Sequence, residues 1–140
     1  MTKAVIDTVV FVRSLINPFS RWGELLFFQG SLYKTYASEP VIEEYLEVLH
    51  RPEIVKKFKV SEKANLKIIL NIIESAIVVK IEEIGSVSRD PNDNIFLATA
   101  KASKADFLVT EDQDLLVLKE FKGTKIITAI DFLRIIKGVN

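Results

Sequence analysis

Four acidic residues stand where carboxylates do chemistry: Asp7, Glu44, Asp93 and Asp112. Asp7 ends a short apolar β-type run, Ala4-Val5-Ile6, and Asp112 comes just after another, Phe107-Leu108-Val109. If both runs are parallel strands, both acids lie at the carboxyl edge of one sheet, where open α/β sheets bind their ligands. Asp93 falls in the first turn of a helix that starts at Asp90-Pro91. The residue before a proline is held out of the helical region, proline suits the first helical position, and an acid there meets the helix's positive end. That helix opens on the same sheet edge provided its preceding loop lies there. Glu44 belongs to a helix from about Glu39 to His50. At helical periodicity Val41, Ile42, Tyr45, Leu46, Val48 and Leu49 share an apolar face, and Glu39, Glu43, Glu47 and His50 line the opposite one. Glu44 sits on the border, beside Val48, where a carboxylate can point into a cleft.

Acids converging on one pocket repel one another and raise each other's pKa unless a cation holds them. An all-oxygen set without His or Cys suits a hard ion such as Mg²⁺ or Mn²⁺, and the chemistry such a site does well is phosphodiester hydrolysis. Each residue also has a plainer reading. Asp93 can simply meet its helix amides, Asp7 and Asp112 can be strand-end turn residues, and Glu44 can be an amphipathic-border residue. Asp131 reads as part of a cap, Asp106 sits at the wrong end of its strand, and His50 reads as a helix-end residue. The lysines at 56, 57, 59, 63 and 67 form either a solvated face or a grip on a phosphate backbone.

The elements that must position these residues alternate strand and helix along the chain. After the first strand, whose end is blurred by the apolar run Val9 to Val12, Asn17-Pro18 marks a break. A helix is predicted from there, carrying Trp22, Leu25, Leu26 and Phe27, with Gly30 ending it. A second strand is expected over Leu32 to Ala37, with Ser38 capping the Glu44 helix. Arg51-Pro52 ends that helix, Ser61 caps the next, which carries Leu66, Ile69, Leu70 and Ile73, and Ala76 to Ile81 reads as a third strand before a loop at Gly85-Ser86. Leu115 to Phe121 is predicted as a short helical segment and Lys125-Ile126-Ile127 as the last strand. Thr128 with Asp131 resembles a capping box for a terminal helix through Phe132, Leu133 and Ile136. This alternation predicts a three-layer α/β/α sandwich with a central, mostly parallel sheet.

Composition narrows the function classes. At 140 residues the chain fits a single domain, 1–140. Nineteen basic residues balance nineteen acidic ones, so attraction to nucleic acid or a membrane has to be local. The chain has no cysteine and one histidine, which excludes disulfides, thiolate metal sites and a multi-histidine zinc site. No apolar run approaches the roughly 20 residues of a membrane span. The first residues, MTKAVIDT, read as structure and not as a signal peptide, so the expected location is the cytoplasm.

Taken together, the motifs resemble those of PIN-domain proteins, of the kind found as the toxin of bacterial and archaeal toxin–antitoxin pairs. Val5-Ile6-Asp7-Thr8-Val9 stands where that family opens with a strand ending in Asp-Thr-Asn. Glu44-Tyr45-Leu46-Glu47-Val48-Leu49 matches the acidic helix, DPNDNIFLATA the third motif with Asp93 as its acid, and Val109-Thr110-Glu111-Asp112 the fourth. The resemblance implies a metal-dependent ribonuclease, usually dimeric and often silenced by a small cognate antitoxin. It implies that Asp7, Glu44, Asp93 and Asp112 bind Mg²⁺ or Mn²⁺, directly or through water, and activate the attacking water, with Asp114 as a further ligand. Thr110 would orient the fourth acid, with Thr8 and Asp90 supporting the site. One departure is plain: Val9 stands where the family has Asn, whose amide helps hold the site together. A PIN-like module that binds RNA or a protein without turnover is the competing reading. A receiver-like or phosphatase-like protein is disfavoured, because Asp7 lacks a second Asp two residues on.

Overall fold

The computed structural model describes residues 1–57, 63–82 and 90–138. Its centre is β1 (Thr2–Ile6), whose last three residues are fully buried, as expected of a strand covered on both faces. The other strands are β2 (Tyr33–Ala37), β3 (Ile77–Val78), β4 (Phe107–Val109), β5 (Glu120–Phe121) and β6 (Thr124–Ile127). They form one sheet in the order β3-β2-β1-β4-β6-β5. Among the described residues every pairing is parallel except β5 with β6. Ala4 pairs with Thr35 on one side and Phe107 on the other, which sets β2 and β4 as the flanks of β1. From β1 the chain passes to β2 on one side, and from β4 to β6 on the other. The winding therefore reverses between β1 and β4, and the loops leaving these two strands diverge over a crevice.

The helices are α1 (Thr8–Ile16), α2 (Arg21–Gly23), α3 (Glu39–Leu49), α4 (Pro52–Val55), α5 (Lys63–Ser75), α6 (Pro91–Ser103), α7 (Gln113–Leu116) and α8 (Ala129–Ile136). Helix α6 packs across β1, β2 and β4 with α3 against it, while α8 packs on β4 beside α2. The expected sandwich with a mostly parallel central sheet is thus the observed architecture.

Several local expectations are corrected. The strand's blurred end is sharp: β1 stops at Ile6 and Val9 to Val12 lie in α1, because Asp7 is already the extended residue preceding that helix. The segment after Pro18 is not one regular helix. Ser20 accepts from the Gly23 amide to cap the short α2, and the chain then runs through π-helical turns at Glu24–Phe28 and a 3-10 turn at Gly30–Leu32. A Cβ at Gly23 would lie 1.9 Å from the Pro18 carbonyl oxygen, so only glycine allows this close return. Ser38 occupies the cap position of α3 but caps nothing; its hydroxyl bonds the buried Thr99 hydroxyl at 2.7 Å. The third strand is confined to Ile77–Val78. The predicted helix over Leu115 to Phe121 ends at Leu116, and Glu120–Phe121 instead folds back antiparallel on β6 through left-handed Lys122 and Gly123. Ser61, Gly85-Ser86, Lys59 and the side chain of Lys63 lie outside the described residues.

Two aromatic clusters hold the layers. Tyr45 of α3 meets Phe11 of α1 edge-on at 4.7 Å and donates its hydroxyl to the carbonyl of Ile6. Phe132 of α8 meets Tyr33 at 5.2 Å and Phe107 at 5.4 Å. Phe132 is fully buried, whereas Ile135 on the same helix is 49% exposed. Phe132→Ala is expected to cost about 3–5 kcal/mol in urea unfolding, against under about 0.5 kcal/mol for Ile135→Ala; equal losses would overturn this account of the core.

Candidate active site

Asp7 and Asp112 follow the two strands at which the winding reverses. The ladder continues one step past each strand: the Asp7 amide donates to the Val109 carbonyl at 2.9 Å and the Thr110 amide to the Ile127 carbonyl at 3.0 Å. These bonds pin the two motifs side by side at the carboxyl edge. Pro91 in the first turn of α6 and the Asp90 carboxylate, which accepts from the Asn92 amide at 2.9 Å, start that helix on the same edge. Asp93 follows in its first turn and is buried. Helix α3 brings Glu44 from the other side.

The result is a cavity of about 490 Å³ whose lining includes Asp7, Glu44, Asp93 and Asp112 together with Asp90, Thr8 and Val9. Glu43, the neighbour assigned to the solvated face, opens onto a different depression. Carboxylate oxygens of Asp90, Asp93 and Asp112 lie within 4.8 Å of one another. Asp7 and Glu44 are each fixed by a hydroxyl. Thr110 donates to Asp7 Oδ2 at 2.6 Å, and Thr8 donates to Glu44 Oε2. The same Thr110 hydroxyl also accepts from the backbone amide of the fourth acid, Asp112, at 3.0 Å, so it touches both the first acid and the fourth. Asp114 is not among the cavity's lining residues, and its amide donates to Asp112 Oδ1 at 2.9 Å. Asp90, by contrast, stands inside the acidic triple rather than behind it.

Three lining groups carried no signal strong enough to single out from the sequence. Arg13 shares a helical face with Val9 and Val12, and that three-and-four spacing marks it only once Asp7 is known to open a helix. Arg51 follows α3. Glu111 precedes Asp112, but its Oε1 is engaged, accepting from Trp22 Nε1 at 3.0 Å and from the Ala129 amide at 3.2 Å.

The PIN domain family model matches residues 3–114. The chain belongs to the PIN domain family. An uncharacterized protein of Methanocaldococcus jannaschii, MJ1680, is 32% identical over 120 residues, which span 84% of this chain and 76% of that protein. Among solved structures, PAE2754 from Pyrobaculum aerophilum matches with a TM-score of 0.59 at 17% identity, covering 98% of this chain and 90% of that one. VapBC2 from Rickettsia felis, bound to a DNA fragment from its promoter, matches at 0.56 and 13% identity, over 91% and 98% of the two chains. DNA-bound VapBC from Salmonella typhimurium matches at 0.55 and 15%, over 92% and 99%. At these identities the structures share the PIN fold with this chain.

The electrostatics of this PIN domain's cavity follow from crowding acids out of water. Burial raises the Asp7 carboxyl to about 6; the Thr110 hydrogen bond opposes the shift, and repulsion from Glu44 and Asp112 adds to it. Burial also lifts Asp93 well above the usual carboxylate range, reinforced by a hydrogen bond and repulsion from Asp112 and by repulsion from Asp7 and Asp90. Glu44 is raised by burial and by Asp90, against the Thr8 hydrogen bond. An all-oxygen set in which protons substitute for a missing positive charge fits a hard divalent cation.

A stability signature follows. Between about pH 4 and about pH 6 the native Asp7 holds a proton that the unfolded chain has released, so unfolding releases a proton and stability falls as pH rises. In EDTA the wild type is expected to lose about 3 kcal/mol across that window relative to Asp7→Asn. Mg²⁺ or Mn²⁺ at neutral pH should restore the loss. Parallel urea-midpoint profiles for the two proteins would rule out this titration.

Proposed function

We propose that this PIN domain is a metal-dependent ribonuclease that hydrolyses RNA phosphodiester bonds, acting over residues 1–140 as one unit and serving as the toxin of a toxin–antitoxin pair. The observation that carries this reading is the meeting of Asp7, Glu44, Asp93 and Asp112 in one cavity at the sheet's switch point. Asp90, Asp93 and Asp112 offer a set of oxygens within 4.8 Å of one another that would hold Mg²⁺ or Mn²⁺, with Asp7 and Glu44 completing the negative wall. A divalent ion bound there supplies Lewis acidity, lowering the pKa of a nearby water and offsetting charge that develops on the phosphate.

The chain's own residues do the positioning. Thr110 keeps Asp7 in place and Thr8 keeps Glu44 in place, so the attacking water meets fixed acceptors. Water adds to phosphorus as it gives up a proton to a carboxylate of the acidic wall, the ester bond to the leaving oxygen breaks, and that oxygen takes up the released proton. Asp114, by its amide, fixes the Asp112 carboxylate. The VapBC structures similar in fold support a small antitoxin as partner. We place the protein in the cytoplasm as a homodimer; none of the helices described is long and apolar enough to cross a membrane.

The test is cleavage of a mixed pool of structured RNAs by the pure protein with Mn²⁺, Mg²⁺ or EDTA, beside Asp93→Asn. Cleavage is expected only with metal and should fall at least roughly a hundredfold in the variant, with its fold intact by circular dichroism. Metal-independent cleavage, or full activity in the variant, would refute the assignment.

Val9 favours a second reading, a module that binds RNA or a partner with weak turnover. It lines the cavity with an isopropyl group where the family carries an amide. Val9→Asn is accordingly expected to raise kcat several-fold, because an amide can hold a water or carboxylate by hydrogen bonding. An unchanged or lower kcat would remove Val9 as the cause of any weak turnover.

A further inference from the structure

The acids account for the floor of the cavity and, among the described residues, leave two guanidinium groups in its lining, Arg13 and Arg51, without a role. The two are in different electrostatic states. Arg51 is held by both carboxylate oxygens of Glu47, at 2.9 and 2.7 Å, so its charge is already answered. Arg13 is exposed, and among the described residues it has no carboxylate at ion-pair distance. Its guanidinium instead lies over the Trp22 ring, 4.9 Å from the centroid.

That ring is itself fixed. Trp22 packs against the core and its Nε1 donates to Glu111, which also accepts from the first residue of α8 and directly precedes Asp112. An indole face attracts and orients a guanidinium without neutralising it. The planar donor fork is therefore held at the mouth of the acidic cavity with its charge unspent. In a chain of zero net charge, a polyanion needs such a local hold to approach a wall of carboxylates.

We propose that Arg13 grips an RNA phosphate flanking the one at the acids, and that Trp22, tied to Glu111, positions it. The flanking place follows from the helix: Arg13 stands roughly 9 Å along the α1 axis from Asp7. The identity of the bound polymer rests on the ribonuclease reading; the grip on a phosphate rests on the guanidinium's environment.

The experiment measures binding of a short, fluorescein-labelled, single-stranded RNA of mixed sequence by anisotropy over a range of salt, with Mg²⁺, in an Asp93→Asn background so that no cleavage intervenes. Arg13→Gln should weaken binding roughly tenfold and reduce the slope of log K against log salt by about 0.7, the share of one phosphate contact on a single strand. Arg13→Lys should recover most of the slope, and Arg51→Gln should cost less than Arg13→Gln. In the active protein, Arg13→Gln should raise KM more than it lowers kcat. A merely structural Arg13 would lower the melting temperature and leave the salt slope alone. An unchanged slope, or no RNA binding with Arg13 intact, overturns the proposal. Loss of the slope in a protein whose wild type cleaves nothing would instead leave the grip standing and fail the ribonuclease reading.

Discussion

Like charges crowded at one edge of a sheet are the constraint around which this PIN domain is arranged. Asp7, Glu44 and Asp93 are each destabilised as anions by burial and by neighbouring carboxylates, and Asp7 and Asp93 respond by holding their protons to unusually high pH. The fold tolerates this because hydroxyl groups hold the acids in place. Thr110 is fully buried and uses one oxygen twice, donating to Asp7 and accepting from the Asp112 amide. Thr8 does the same service for Glu44 from the first residue of α1. Such hydrogen bonds offset part of the repulsion without removing the negative charge, which is what a cation site requires.

Everything else in the architecture delivers these side chains to one place. Asp7 and Thr110 are more than a hundred residues apart in sequence, yet the parallel pairing of β1 with β4 sets them on neighbouring strand ends. The reversal of winding at that pair keeps α1 and the loop after β4 from closing over the crevice. Tyr45 links the third element to the first: its hydroxyl reaches the Ile6 carbonyl, one residue before Asp7, from the helix that carries Glu44. Packing and chemistry are therefore coupled, since α3 cannot shift without moving both an acid and the strand end beneath it.

The rim of the cavity obeys a different logic from its floor. Its cations come from α1 and from the turn after α3, and here the Arg51 guanidinium is paired with Glu47 of α3 while that of Arg13 is stacked on an aromatic ring. Stacking keeps a charge available that a salt bridge would quench. Trp22 owes its place to the irregular segment after Pro18, where Gly23 lies against the Pro18 carbonyl and the helix widens into π turns. Irregular backbone here supports the rim, while regular strands and helices support the floor.

Much of this was legible in the residues themselves. Short apolar runs ending in acids, the Asp-Pro helix start and the amphipathic border at Glu44 are local signals, and local signals survive without knowledge of the fold. The Thr128 cap and the strands at Tyr33, Phe107 and Lys125 followed from the same kind of pattern. What the tertiary structure alone decided depends on partners distant in sequence. Ser38 reads as a cap but bonds Thr99, because burial beside another hydroxyl outcompeted a local amide. Glu120 and Phe121 read as helix but pair with β6, because an open sheet edge lay within reach. Thr110 turned to Asp7, Asp90 joined the acidic triple, and Arg13 settled on Trp22. A sequence encodes which residues can cap, pair or ionise; which of those options is taken is set by the groups that packing brings within a few ångströms, and no local pattern records them.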